Sequence, residues 1–564
     1  MNLHILLDYK GPYEHEEGDV VLSSPYNPLD EKNDIIVIPF DYSIIFSDRR
    51  VIEDVNRLYS ETDALFKPTR NSVYGKLLMA IYAFDTLIER VTQEYNVDKI
   101  YLYDGCRIPF VTTLNSEGEG ARKDYSTNWL VNAVLYDKYC GRYDIIWKHK
   151  INASRLYVKN YFRWIKGIIT ILLLSLYSRV LTKKDLQNEE SKKLLSIVDL
   201  PLQAYSINNL LSEKSKSISY LSLEKGCFNI LIDKGYDVIH IPYLRVRKLL
   251  SIAYLVLFKK VSLSASPFGK CFDMLLKREV RLQALIYHIR LNRITEFLDQ
   301  IGNKSKTILV TNMTWGTDIV SAHDAAFKTG IKHFNFQYVA LGGKLFPQLE
   351  LADYYYLYDK ITYNLYKDYS RSFRLYLPLL KKEEERVVKK ADHLRTLTIF
   401  MQPDSFAIDY LDFIESLIHN DSVKKSGWRI IIKPHYRQNL LGSLYSIVES
   451  VPFVRIAEPS ESCGDILRNT DIAVSIHSAV IFEAMTNGVM CLVYSAKGKY
   501  NQTIYNTGIC FADVNFVINE TNETFSYMES FSLYSEEYTK RLQHFLNTNS
   551  VEVNVDDILE KAMG

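Results

Sequence analysis

The stretch Thr470 to Ser495, TDIAVSIHSAVIFEAMTNGVMCLVYS, decides the fold class. It reads as a buried strand, a polar break at Ser475, His477 and Ser478, a helix carrying Glu483, an Asn487-Gly488 stop and a second buried strand. Continuous apolar runs of this length suit strands covered on both faces, as in parallel sheets with helices on either side. Upstream, Ile430 to Arg437, IIIKPHYR, repeats the pattern: an apolar strand releases Lys433 and His435, and Pro434 stops the ladder. In open α/β sheets ligands bind outside the carboxyl ends of the strands. A cation, an imidazole, hydroxyls and a helix N-terminus converging there suit a phosphate with a sugar attached.

Working outward, βα alternation fills the rest of this half, with strands expected over 395–402, 428–435, 453–458, 472–478, 489–495 and 508–513. Before it lies KKEEERVVKKADH, residues 381–393, a charged linker helix by composition. Earlier apolar runs at 3–9, 34–42, 99–104, 143–148, 236–242, 307–313 and 332–338 predict a further α/β region, with a helix over 73–95. Residues 150–235 read as a mostly helical insertion. The expected fold is therefore α/β of the GT-B kind, two Rossmann-like domains facing a cleft. An N-terminal acceptor domain would span 1–385, with the helical insertion at about 150–235, and a C-terminal nucleotide-sugar domain 386–564. No GxGxxG or GxxxxGK[ST] follows any strand, so dinucleotide and P-loop chemistry lack support.

Totals narrow the class. The chain has 564 residues, 47% hydrophobic, with a formal net charge of +1. Without a basic excess, nucleic acid is not expected as a partner. Seven cysteines form no CxxC pair and no zinc spacing, and read as idle thiols in a reducing compartment. The start, MNLHILLDYKGPYEHEEGD, has no basic n-region, so no signal peptide is expected and the cytoplasm is the expected compartment. The 41 tyrosines are assigned mainly to packing. Two apolar runs, GIITILLLSLY at 167–177 and LLSIAYLVLF at 249–258, have Arg and Lys at both ends. Each is short of the ~20 residues a spanning helix needs. They read either as buried helices or as interfacial helices on an anionic leaflet.

Each candidate side chain has a functional and a plain reading. Lys433 and His435 would hold a donor phosphate, with Arg437 as companion; otherwise they are a solvated strand end. Ser475, His477 and Ser478 would line the same site, or Ser478 would only cap its helix. Glu483 would accept from ribose hydroxyls, or only face the helix dipole. Asp104, with Gly105 after the strand KIYLY, is placed to deprotonate an acceptor hydroxyl, or forms an ordinary Asp-Gly turn. Glu117 and Glu119 are its runners-up. Gln337, ahead of the glycine-rich Leu341 to Lys344, would face the cleft or merely connect. No Asp-x-Asp ends a strand, so no metal is expected.

Lys433-Pro434-His435-Tyr436, with Ser475-Ile476-His477-Ser478 and Glu483, resembles the HP and serine motifs of bacterial GT-B enzymes of surface polysaccharide synthesis. These include Kdo transferases, bacterial sialyltransferases and glycerophosphotransferases. Tyr103-Asp104-Gly105 looks like a reduced form of the sialyltransferase acidic motif. The departures are Tyr436 for a proline and Tyr103 for an acidic residue. The resemblance implies a CMP- or CDP-activated donor and no cofactor. It also implies His435 and the serines on the phosphate, and Asp104 as acid/base. With it the expectation is a metal-independent transferase at the inner face of the cell membrane, moving a Kdo-like or sialic-acid-like sugar from a CMP donor to a lipid-linked oligosaccharide. A CDP-glycerol-type transferase and a non-catalytic scaffold of an assembly complex are the alternatives.

Overall fold

The computed structural model describes residues 1–7, 13–23, 34–39, 85–103, 126–148, 193–199, 201–210, 218–259, 269–312, 317–337, 352–357, 363–364, 367, 373–375, 394–401, 407–435, 441–449, 451–458, 461–476, 478, 480–496 and 513–549. Their strands form three sheets. The first, of five strands, contains β1 (Asn2–Leu7), β2 (Asp19–Ser23), β3 (Ile35–Pro39), β4 (Lys99–Tyr103) and β5 (Asp144–Lys148), in the order β3-β2-β1-β4-β5. The second has seven: β6 (Lys193–Val198), β7 (Ile218–Ser222), β8 (Val238–His240), β9 (Thr307–Thr311), β10 (Lys332–Phe336), β11 (Tyr354–Leu357) and β12 (Phe373–Leu375). Its order is β8-β7-β6-β9-β10-β11-β12. The third has six: β13 (Thr396–Phe400), β14 (Arg429–Lys433), β15 (Val454–Ile456), β16 (Ile472–Ser475), β17 (Met490–Tyr494) and β18 (Phe516–Ile518). They run β15-β14-β13-β16-β17-β18.

Every pairing in the three sheets is parallel. Each sheet begins with the strand order 3-2-1-4 that defines a doubly wound Rossmann-like fold. Each therefore has a switch point where the order reverses: β1/β4, β6/β9 and β13/β16. The expected α/β class with Rossmann-like sheets is the class observed.

Two expectations change. The first 385 residues hold two sheets rather than one. The stretch 150–235 is not a helical insertion: its described part alternates strand and helix. It supplies β6 and β7, the central strands of the second sheet, with the helices Pro201–Leu210 and Lys225–Asp233. KLLSIV and ISYLS are short and interrupted by serine, and the long apolar run ahead of them dominates any periodicity reading. The run at 167–177 lies outside the described residues.

The sheets share one device at their amino edges. An aspartate at or just before a neighbouring strand accepts a backbone N–H that the ladder leaves open. Asp19 Oδ1 accepts from Asn2 N at 2.8 Å, Asp353 Oδ2 from His333 N at 2.7 Å and Asp471 Oδ2 from Thr396 N at 2.7 Å. The third sheet has the most continuous core: β13, β16 and β17 are buried along their whole length, sealed by Tyr410, Phe413, Trp428 and Tyr538. Among the described tyrosines, Tyr139, Tyr220, Tyr355, Tyr410 and Tyr538 are fully buried, which agrees with packing as their role.

Candidate functional site

The carboxyl edge of the six-stranded sheet gathers most of the candidates. Lys433 ends β14, Ser475 ends β16, and β13 lies between them. Two strand spacings, about 10 Å, therefore separate the two backbones. His435 follows Lys433 and is half-buried, while Pro434 is buried. Ser478 is half-buried two residues before the helix Val480–Thr486, which carries Glu483. Arg437 and His477 lie outside the described residues.

Lys433 is 7% exposed, and its Nζ donates to the Glu458 carbonyl at 2.7 Å. Burial lowers its pKa, against the pull of Cys463 and Glu461. The ammonium thus braces the turn after β15. That turn is itself tied by the Arg455–Glu461 ion pair at 2.7 Å and by Glu458 N donating to Glu461 Oε1 at 2.7 Å. Its positive charge stands at the sheet edge.

Ser475 is held by the protein itself. Its Oγ donates to the Phe400 carbonyl at 3.0 Å and meets the Tyr410 hydroxyl at 3.2 Å. Tyr410, from the helix Ala407–His419, also donates to Phe400 O at 3.0 Å and accepts from Ile476 N at 2.9 Å. One buried phenol therefore pins the ends of β13 and β16 at the switch point, and it fixes the Ser475 hydroxyl there. Sequence reading missed Tyr410 because two of its partners, Ser475 and Ile476, lie more than sixty residues on and meet it only through one oxygen.

Ser478 accepts from Val480 N through Oγ at 3.3 Å and from Ile481 N through its carbonyl at 3.1 Å, so it does cap the turn. Glu483 has an exposed surface, yet burial among the surrounding groups raises its carboxyl above the ordinary range. Cys463, half-buried nearby, has its thiol pushed up to about 11 by burial and by Glu483, with Lys433 opposing. Beyond the helix, Gly488 takes φ +68° and Val489 N returns to Ala484 O at 2.9 Å, the glycine stop expected of Asn487-Gly488.

The remaining candidates belong elsewhere. Gln337 follows β10 in the seven-stranded sheet, is buried, and its N–H donates to Tyr356 O at 2.9 Å. Asp104 would follow β4 in the five-stranded sheet, and with Glu117 and Glu119 it lies outside the described residues. A shallow groove of about 310 Å³, lined by Trp428, Arg429 and Val454 among others, sits at the amino ends of β14 and β15, away from these groups. Among the described residues no three His, Cys, Asp or Glu side chains gather as a metal would require.

The site and sheets define a Rossmann-like α/β protein with polar groups at one carboxyl edge. No family model and no curated protein matches the chain. Among solved structures it is similar to the UDP-GlcNAc 2-epimerase of Neisseria meningitidis bound to UDP-GlcNAc. Identity there is 15% over 65% of this chain and 99% of that one, with a TM-score of 0.39. It is also similar to Acinetobacter baumannii MurG, 14% identical over 66% of this chain and 100% of that one, with a TM-score of 0.39. At such scores the likeness adds nothing to the topology described above.

Proposed function

We propose that this chain is a GT-B glycosyltransferase of bacterial surface polysaccharide synthesis. It would move a sugar from a nucleotide donor, a CMP-linked ulosonic acid such as Kdo or a sialic-acid-like residue, onto a lipid-linked glycan. The seven- and six-stranded sheets would be the two GT-B halves, with the five-stranded sheet an additional unit. The observation that carries this reading is the gathering of Lys433, His435, Ser478 and Glu483 at the carboxyl edge of one Rossmann-ordered sheet. A leaving nucleotide phosphate gains from a fixed cation and hydrogen-bond donors placed where its charge develops. In this reading Lys433 supplies the field, His435 donates to the phosphate, and Glu483 takes the ribose hydroxyls. Asp104 would be the base on the acceptor side, and Gln337 would border the acceptor. The reaction would take place at the inner face of the cell membrane.

Calorimetry with CMP, CDP and UDP tests the reading, on the wild type and on His435→Ala. Expected is CMP binding that the variant weakens at least about tenfold, as for loss of one charge-assisted hydrogen bond. CDP preference would point to the glycerophosphotransferase, and UDP preference would remove the ulosonic donor. Binding of none of them would leave the scaffold alternative.

A further inference from the structure

The helix Val246–Phe258, VRKLLSIAYLVLF, is apolar on both sides. Its inner face is accounted for: Leu249, Ile252 and Val256 are buried. The helix is also tied to the long helix Gly269–Leu298. Lys248 Nζ pairs with Glu296 at 2.5 Å, and Arg281 donates to the Lys259 carbonyl at 3.3 Å. The outer face presents Leu250 at 51% exposure, Tyr254 at 65%, Leu255 at 51% and Phe258 at 73%. At 3.6 residues per turn, residues 250, 254 and 258 stack along one stripe. The Tyr254 and Phe258 rings lie 5.0 Å apart on it. Isolated exposed apolar residues need no explanation, but a stripe of four large ones on one helix marks a contact surface.

Its charges narrow the partner. Arg245 and Arg247 at one end and Lys259 at the other are exposed, and the helix contains no acidic residue. An apolar stripe between cationic ends matches the acyl–headgroup boundary of an anionic bilayer, where rings and leucines enter and Arg and Lys meet phosphate. Among the described residues no helix is long and apolar enough to cross a membrane, so this contact would lie on the surface.

We infer that the outer face of Val246–Phe258 is a docking surface for an anionic lipid bilayer, with Leu250, Tyr254, Leu255 and Phe258 inserted and Arg245, Arg247 and Lys259 on the headgroups. This deepens the membrane placement proposed above and rests on it in that respect alone. Vesicle binding is read without nucleotide, so its failure leaves the donor reading standing.

The test is co-sedimentation of the full chain with phosphatidylcholine vesicles, with and without phosphatidylglycerol. The wild type is expected to bind the anionic vesicles and release them at high salt. Tyr254→Ser with Phe258→Ser, and separately Arg247→Gln with Lys259→Gln, should each reduce partitioning about tenfold or more. All four sites are exposed, so unfolding curves should not move, and the variants remain informative. Absence of vesicle binding by the wild type overturns the inference. So does equal binding to neutral vesicles that ignores Arg247 and Lys259. Concentration-dependent dimerisation, seen by analytical ultracentrifugation and abolished by the Tyr254 and Phe258 changes, would assign the stripe to a second copy instead.

Discussion

The six- and seven-stranded sheets share a strand order and an amino-edge aspartate, and they differ where the order reverses. At β13/β16 the Tyr410 phenol satisfies the Phe400 carbonyl, the Ser475 hydroxyl and the Ile476 N–H together. At β6/β9 the Thr311 hydroxyl, which ends β9 as Ser475 ends β16, is bonded to Asn335 Oδ1 at 2.6 Å, but other polar groups there are not matched. Among the described residues, Asn312, 1% exposed directly after β9, has no partner for either amide atom, and the Ser196 hydroxyl on β6 has none either. The neighbouring His333 bonds the Thr311 hydroxyl at 2.8 Å through Nε2, and its Nδ1 has no partner among the described residues. The same topology thus tolerates a closed and an open polar account. The closed one lies in the sheet whose edge carries the candidate phosphate groups. A buried polar group left unbonded costs more than a bonded one gains, so the two switch points should answer differently to acid and to mutation.

Acid should separate them most. Burial holds His333 well below the ordinary imidazole range, and burial together with Arg293 and Lys225 pushes His240 down to about 4. Both belong to the seven-stranded sheet. A lowered imidazole pKa means that the folded state refuses a proton which the unfolded chain takes up below about pH 6.5. Their contribution is therefore complete above that pH and is lost as pH falls, for His240 until about 4. Each steepens the decline by up to about 1.4 kcal/mol per pH unit. Hydrogen-exchange mass spectrometry between neutral pH and pH 5 should show β6 to β11 losing protection before β13 to β17. Simultaneous loss, or the reverse order, would break the comparison.

Tyr410→Phe comes next in size. It keeps the ring in its buried place and removes the oxygen, leaving Ile476 N without its partner and Ser475 with Phe400 alone. A loss of about 1–3 kcal/mol in urea unfolding is expected, the penalty for an unsatisfied buried donor. An unchanged midpoint would mean that the phenol fills space and nothing more.

The sequence revealed the six-stranded sheet far better than the others. TLTIF, RIIIK, VRI, IAVS and MCLVY are short, mostly apolar and followed by turn residues, so five of its strands fell where expected. The last lay at Phe516–Ile518, beyond the anticipated 508–513. β6 and β7 escaped because a serine breaks each apolar run. The division of the first half into two sheets escaped because strand partnership is decided by contacts across the chain, not by local pattern. Lys433 at the end of a strand and Ser478 at the start of a helix lie where the sequence put them, since both are local events. The Ser475–Tyr410 bond was not legible: nothing near Tyr410 in sequence announces a hydroxyl partner 65 residues away.

Asn312→Leu is the smallest effect and the sharpest test of the comparison. Leucine has the branching and heavy-atom count of asparagine, lacks both polar atoms, and by strand alternation shares the face on which Ile308 and Val310 enter the buried core. If the amide is unbonded in the fold, the change removes a desolvation cost and breaks no hydrogen bond. Stability should then stay level or rise by up to about 1 kcal/mol, read as a urea midpoint shift at constant slope. The opposite result is equally informative. A loss comparable to that of Tyr410→Phe would mean that Asn312 is bonded as fully as the phenol, and the two switch points would then be energetically alike despite their different residues.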